Sequence, residues 1–229
     1  MNVAFIVFII LLIILGIGLY LYIRNDNIIR HKDGDYEIIE YKNFLTKKEC
    51  EYLIEFAKKT GMEESTVLNY DIENITKMDT NYRKSKTCWL KDSADPLTMK
   101  IATKCEKITG LPRANQEELQ VLEYEENGMF NEHFDACAFE SKEYCDKINR
   151  NAGQRKTTLI IYLNDNYEGG ETEFTTIGIK IKPEVGKAIL FWNVDEKDGI
   201  LEKSKHRGNM VKNGKKWICT KWTHGKEFI

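Results

Sequence analysis

No Cys-x-x-Cys pair occurs among the 6 cysteines (Cys50, Cys88, Cys105, Cys137, Cys145 and Cys219), so the ligand spacing of a zinc ribbon is absent. Charge of one sign is lacking too. The 34 Lys and Arg stand against 36 Asp and Glu, a formal net charge of -2, and no global field draws the chain to nucleic acid or an anionic surface. No internal repeat is present, which excludes a solenoid or propeller. The 229 residues suffice for one domain of jelly-roll size with an appendage, or at most two small domains. An even cysteine number permits disulfides. Cys137 and Cys145 are spaced to close a short loop, with free, partly buried thiols as the equal alternative.

Long apolar runs are confined to one place. Val3 to Ile23 carries no charge, is followed by Arg24, and ends in Tyr20 and Tyr22, where an interfacial aromatic belt would sit. A cleaved signal peptide has a basic start and a shorter apolar core. The expectation is therefore an uncleaved transmembrane anchor over 1–24, then a polar linker over 25–35. Arg24, Arg30 and Lys32 after the span favour a cytosolic domain by the positive-inside rule.

Tyr36 to Tyr41 has strand character. Thr46-Lys47-Lys48-Glu49 is a capping box that predicts a helix through Lys59, stopped by Gly61. Asp95 to Thr109 is a second helix candidate, closed by Gly110 and Pro112. From Glu117 onward short strands alternate with turns: 119–124, the strand carrying His133, 157–163, 177–181, 187–192 and 217–223. Phe139 to Gly153 reads as a polar loop. Short strands with two N-terminal helices indicate a mainly β fold with flanking helices, a sandwich or jelly roll.

Asn131-Glu132-His133-Phe134-Asp135 carries the chemistry. In an extended strand His133 and Asp135 project from one face and offer an imidazole and a carboxylate to one cation. A second histidine, His206, would complete two histidines and one carboxylate, the ligand set of a non-heme Fe(II) oxygenase. A lone His-x-Asp is common by chance, so the weight falls on its surroundings. In the last strand Lys216, Ile218, Thr220 and Trp222 share one face, and Trp217, Cys219, Lys221 and Thr223 the other. An inward Lys216 requires an anion, because a buried unpaired ammonium is costly. Thr158 and Tyr162 also share a face. His31 and His224 read as solvated residues near the termini. Lys203, Lys205, Arg207, Lys212, Lys215 and Lys221 read as a solvated basic rim.

The chain resembles the prolyl 4-hydroxylase family of 2-oxoglutarate- and Fe(II)-dependent dioxygenases over residues 36–224. The resemblance lies in ordered blocks: Arg83-x-Ser85 with Leu90, Gln120-Val121-x-x-Tyr124 with Gly128, and His133 with Asp135. Further on come Arg155-x-x-Thr158, Tyr162-Leu163-Asn164, Gly169-Gly170-Glu171-Thr172-x-Phe174, Ser204-x-His206-x-Gly208 and Lys216-Trp217. It implies a double-stranded β-helix over 36–229, with His133, Asp135 and His206 on iron and Lys216 on the distal carboxylate of 2-oxoglutarate. Tyr124, Thr158, Tyr162, Thr220 and Trp222 would contact the same cosubstrate, and Arg155 and Arg83 would face the peptide. The implied reaction uses Fe(II), 2-oxoglutarate, O2 and ascorbate, releases succinate and CO2, and hydroxylates proline in a peptide or protein. Relatives act in the endoplasmic reticulum lumen behind an anchor, and that membrane is the expected location.

Two departures touch the substrate side: Met210 stands where the family has proline, and Phe130 where tyrosine is frequent. They leave open the same chemistry on another residue or a small molecule, and a non-catalytic peptide-binding β-helix. A nucleic-acid substrate is not expected.

Overall fold

The computed structural model describes residues 5–6, 8–14, 27–68 and 76–229. Its main sheet has eight strands: β1 (Ile28–Asp33), β2 (Tyr36–Tyr41), β3 (Glu63–Glu64), β7 (Lys86–Leu90), β8 (Leu119–Tyr124), β10 (Arg155–Tyr162), β14 (Ala188–Trp192) and β17 (Lys216–His224). They run antiparallel in the order β1-β2-β14-β10-β17-β8-β7-β3. The facing sheet has five: β6 (Arg83–Lys84), β9 (Met129–His133), β12 (Thr172–Phe174), β13 (Ile179–Ile181) and β15 (His206–Gly208), in the order β13-β12-β15-β9-β6. Two-stranded ribbons pair β4 (Val67–Leu68) with β5 (Thr76–Lys77), and β11 (Glu168–Gly169) with β16 (Val211–Asn213). Two facing antiparallel sheets whose strands cross between distant parts of the chain form the expected jelly-roll core.

Helix α1 (Lys47–Thr60) begins where the capping box predicts, with both reciprocal bonds of Thr46 and Glu49 made, and stops at Gly61. Helix α2 (Pro96–Thr109) is capped by Asp95 and ends at Gly110, whose φ of 72° is left-handed and suits glycine. Both helices pack on one face of the main sheet. Leu53 and Ala57 of α1 and Ile101 and Cys105 of α2 meet Leu159, Ile161, Trp217 and Cys219. The other face turns toward the small sheet, where Leu122, Ile160, Tyr162 and Ile218 meet Phe174, Phe191 and Val211. β10 is buried on both faces, which is why Thr157 to Leu163 reads as a nearly unbroken apolar run. Each fully buried Leu or Ile contributes about 2 kcal/mol.

Three features depart from the sequence reading. Ile28–Asp33, expected to lie in a linker, is an edge strand joined to β2 through Gly34-Asp35. The overlooked signal was a glycine opening a two-residue hairpin turn, with φ of +59° at Gly34. Within the expected loop 139–153 a short helix, α3 (Lys142–Ile148), is capped by Ser141. Of the two alternatives left open for the cysteines, Cys137 and Cys145 take the disulfide, while Cys50, Cys88, Cys105 and Cys219 are free and buried.

The third departure is the anchor. No helix among the described residues is long and apolar enough to cross a membrane. Part of the run from Val3 to Ile23 lies outside the described residues. The expectations of a single-pass anchor and of the endoplasmic reticulum membrane are therefore not supported.

Candidate functional site

Cross-strand register builds the site. β9 and β15 pair so that His133 lies opposite His206, the ring centroids 4.3 Å apart. Strand β9 ends at His133, so Asp135 follows in the chain turn rather than on the strand, yet its carboxylate returns to the same point. Asp135 Oδ1 lies 3.6 Å from His133 Nε2, and Oδ2 lies 3.7 Å from His206 Nε2. Among the described residues His133, Asp135 and His206 are the one group of three side chains able to hold a metal ion, their donor atoms within 4.8 Å of one another.

Each donor is oriented from behind. His133 Nδ1 bonds Asn131 O at 2.7 Å and His206 Nδ1 bonds Ser204 O at 2.8 Å. Carbonyls accept only, so both Nδ1 atoms carry the proton and both Nε2 lone pairs face the cluster. Thr158 donates to Asp135 Oδ2 at 2.6 Å and accepts from Asn193 Nδ2 at 2.8 Å. Phe130 stacks on His133 with centroids 3.6 Å apart, and Phe174 and Phe191 enclose His206. Burial would raise the Asp135 pKa, but His206, His133 and Arg155 hold it far below the usual carboxylate range. Burial, together with the neighbouring His133, pushes His206 down to about 4.

A narrow inner cavity of about 40 Å³ runs from this cluster to Lys216, lined also by Arg83, Tyr124, Thr220 and Trp222. The register of β17 with β8 sets Lys216 opposite Tyr124 and Thr220 opposite Gln120. Lys216 is 1% exposed. Its Nζ donates to Gly170 O at 2.8 Å and stands 5.1 Å over the Tyr124 ring. Burial pushes its pKa down to about 8. Gly170 has φ of +67°, and a Cβ there would meet Tyr167 Cε2 at 2.9 Å and Lys216 Cδ at 3.1 Å, so the close approach requires glycine.

Not every expected residue faces this cavity. Thr158 serves the Asp135 carboxylate instead, and Tyr162 donates to Thr172 Oγ1 at 2.7 Å within the core. Arg155 lies outside the inner cavity, on a larger groove of about 610 Å³ whose lining includes Trp89, Phe134 and Phe139. The groove and cavity share Arg83, Gln120, Phe130, His133, Asp135 and Trp222, so the cluster stands at their junction. Arg155 makes a bidentate pair with Glu117 at 2.5 and 2.9 Å and lies 3.8 Å over Trp222. Arg83 is buried, 4.5 Å over Phe130, with acceptors at Thr66 O (3.3 Å) and Gln120 Oε1 (3.4 Å).

Two residues read as solvated are buried. His224 is fully enclosed between Gly153 O and Glu117 Oε1, both at 2.8 Å. Its parity, even with Lys216 to Trp222, marked it as inward-facing. Lys221 lies under the helices, paired with Asp92 at 2.5 Å and with the Glu117 carbonyl.

The 2OG-Fe(II) oxygenase superfamily matches residues 119–224. Probable prolyl 4-hydroxylase 3 of Arabidopsis thaliana is 35% identical over 208 residues, covering 82% of this chain and 69% of that one. A putative prolyl 4-hydroxylase of Acanthamoeba polyphaga mimivirus is 29% identical over 187 residues, with 81% and 73% covered. Among solved structures, the viral collagen prolyl hydroxylase of Paramecium Bursaria Chlorella virus-1, a complex with 2-oxoglutarate, superposes with a TM-score of 0.65 at 29% identity. That likeness covers 83% of this chain and 96% of the other.

Proposed function

The chain belongs to the prolyl 4-hydroxylase family of 2-oxoglutarate- and Fe(II)-dependent dioxygenases, and from that premise we propose that it hydroxylates proline in a peptide seated in the groove beside the His133, Asp135 and His206 cluster. The observation that carries this reading is a largely buried cluster of two imidazoles and a carboxylate at the junction of a wide groove and a narrow cavity ending in a buried lysine that makes no salt bridge among the described residues.

The residues fit both absent groups. Two Nε2 lone pairs and one carboxylate oxygen suit Fe(II). The Lys216 ammonium has a carbonyl partner and no carboxylate partner among the described residues, as an anion site requires. The Trp222 Nε1 on the cavity wall is buried with no hydrogen-bond partner among the described residues, a further donor for a polar ligand. His133, Asp135 and His206 would hold the iron, whose chemistry there would be activation of O2 coupled to oxidative decarboxylation of 2-oxoglutarate to succinate and CO2.

The chain's own contribution is binding, orientation and dryness. Lys216 takes the distal carboxylate of 2-oxoglutarate, with Tyr124, Thr220 and Trp222 around it. Thr158 keeps the Asp135 carboxylate turned toward the imidazoles. Leu122, Ile160 and Ile218 line the inner cavity and exclude water. Arg155 and Arg83 face the groove and position the peptide, whose proline must reach the junction. Residues 36–229, together with the edge strand β1 that completes the main sheet, form the dioxygenase unit.

The test is succinate release from 2-oxoglutarate with Fe(II), ascorbate and a panel of proline-rich peptides, followed by mass spectrometry of the peptide. The expected result is peptide-stimulated turnover and one added oxygen on proline, lost in His133→Ala. Addition of oxygen to another residue would keep the chemistry and reject the substrate.

A further inference from the structure

Resting on that reading of the groove, we propose that the segment closed by the Cys137–Cys145 disulfide is the specificity-determining wall of the peptide seat, with Phe139 as the side chain that meets the peptide. The segment leaves the metal cluster directly: Asp135 ends the cluster, and Ala136, Cys137, Ala138 and Phe139 continue as groove lining.

Three ties hold this wall. The disulfide closes a separation of 8 residues. The Gln154 side chain grips the backbone of Cys137 from the start of β10: Cys137 N donates to Gln154 Oε1 at 2.8 Å and Gln154 Nε2 donates to Cys137 O at 3.0 Å. Phe139 meets Tyr144 edge to face, centroids 4.8 Å apart, in a small cluster with both cysteines and Ile148. Among the described residues that cluster holds three buried apolar residues, Cys137, Tyr144 and Cys145. It is too small to order a loop alone, and the cross-link supplies what the core cannot. A wall ordered before the peptide arrives spares the cost of immobilising it on binding.

The metal cluster is held by other means. Thr158 fixes Asp135, Phe130 stacks on His133, and Phe174 and Phe191 pack on His206, all from the two sheets. Loosening the wall therefore separates peptide affinity from iron affinity, which damage to the fold would not do.

The experiment compares the full chain with Cys145→Ser and, with the disulfide intact, Phe139→Ala. Iron affinity is measured by equilibrium dialysis, and kcat and KM with a proline-rich peptide that stimulates the wild type. Both substitutions are expected to raise peptide KM by about tenfold with a much smaller change in kcat and with iron affinity retained. Unchanged KM in both variants, or iron affinity falling in step with KM, overturns the inference. A wild type that binds iron but is stimulated by no peptide overturns the groove reading first, and this inference with it.

Discussion

Strand β17 carries two fully buried lysines on opposite faces, and they are opposite in character. Lys221, under the helices, is matched from within by the Asp92 carboxylate and the Glu117 carbonyl. Lys216, facing the inner cavity, has a single carbonyl and no carboxylate partner among the described residues. The first is a closed structural pair. The second is a charge the fold leaves open, and in a core of this density that openness marks a ligand site rather than a packing error.

The sharpest way to break this comparison is to remove each lysine. Lys216→Ala is expected to raise the KM for 2-oxoglutarate by about a hundredfold, the effect of deleting one partner of a buried charge pair. It should not lower the melting temperature, since an uncompensated buried charge disappears. Lys221→Ala is expected to do the reverse, costing about 3 kcal/mol of stability by stranding Asp92, with the KM for 2-oxoglutarate unchanged in the folded fraction. Denaturant titration and initial-rate kinetics on both variants would check the pair together. Equal effects of the two variants on KM would remove the distinction.

A smaller effect tests the support behind the metal cluster. Thr158→Val keeps the shape and deletes the hydroxyl that donates to Asp135. Iron affinity should fall by about tenfold, read by competition with a metal chelator, with the KM for peptide little altered.

The smallest effect is a pH dependence. With the Lys216 pKa depressed by burial to about 8 in the empty protein, the ammonium is present at neutral pH and is lost as pH rises. Because only the charged form holds 2-oxoglutarate, its apparent KM should rise about fourfold from pH 7 to about pH 8.5. The same depression means that the empty folded state binds fewer protons than the unfolded chain above pH 8. The penalty of the buried ammonium is therefore fully present below about pH 8 and is relieved as pH rises from there toward 10.5. A flat KM profile across that interval would place the anion elsewhere.

Much of this was legible in the chain because local rules coincide with the fold. The Thr46-x-x-Glu49 box and Gly61 bounded α1 closely, and strand parity from Lys216 to Trp222 separated the cavity wall from the face under the helices. The same parity extends to His224, which was misread because nearness to the terminus was weighed above alternation. The Gly34-Asp35 hairpin was obscured by the polar residues around it, which resemble a linker. Asp135 reaches its neighbours through a turn, not through strand alternation, so the three residues were grouped for a partly wrong geometric reason. The roles of Thr158 and Tyr162 depend on partners 23 and 10 residues away. The groove draws its walls from segments spread between Thr66 and Trp222. No local pattern records such convergence.

The measurement closest to the central claim is direct binding of 2-oxoglutarate to the iron-loaded protein under anaerobic conditions, comparing wild type with Lys216→Ala and His206→Ala. Saturable binding that weakens about a hundredfold without Lys216 and disappears without the metal site is the predicted result. Binding of equal strength in the Lys216 variant would contradict the assignment of the open lysine to the cosubstrate, and with it the contrast between the two faces of β17.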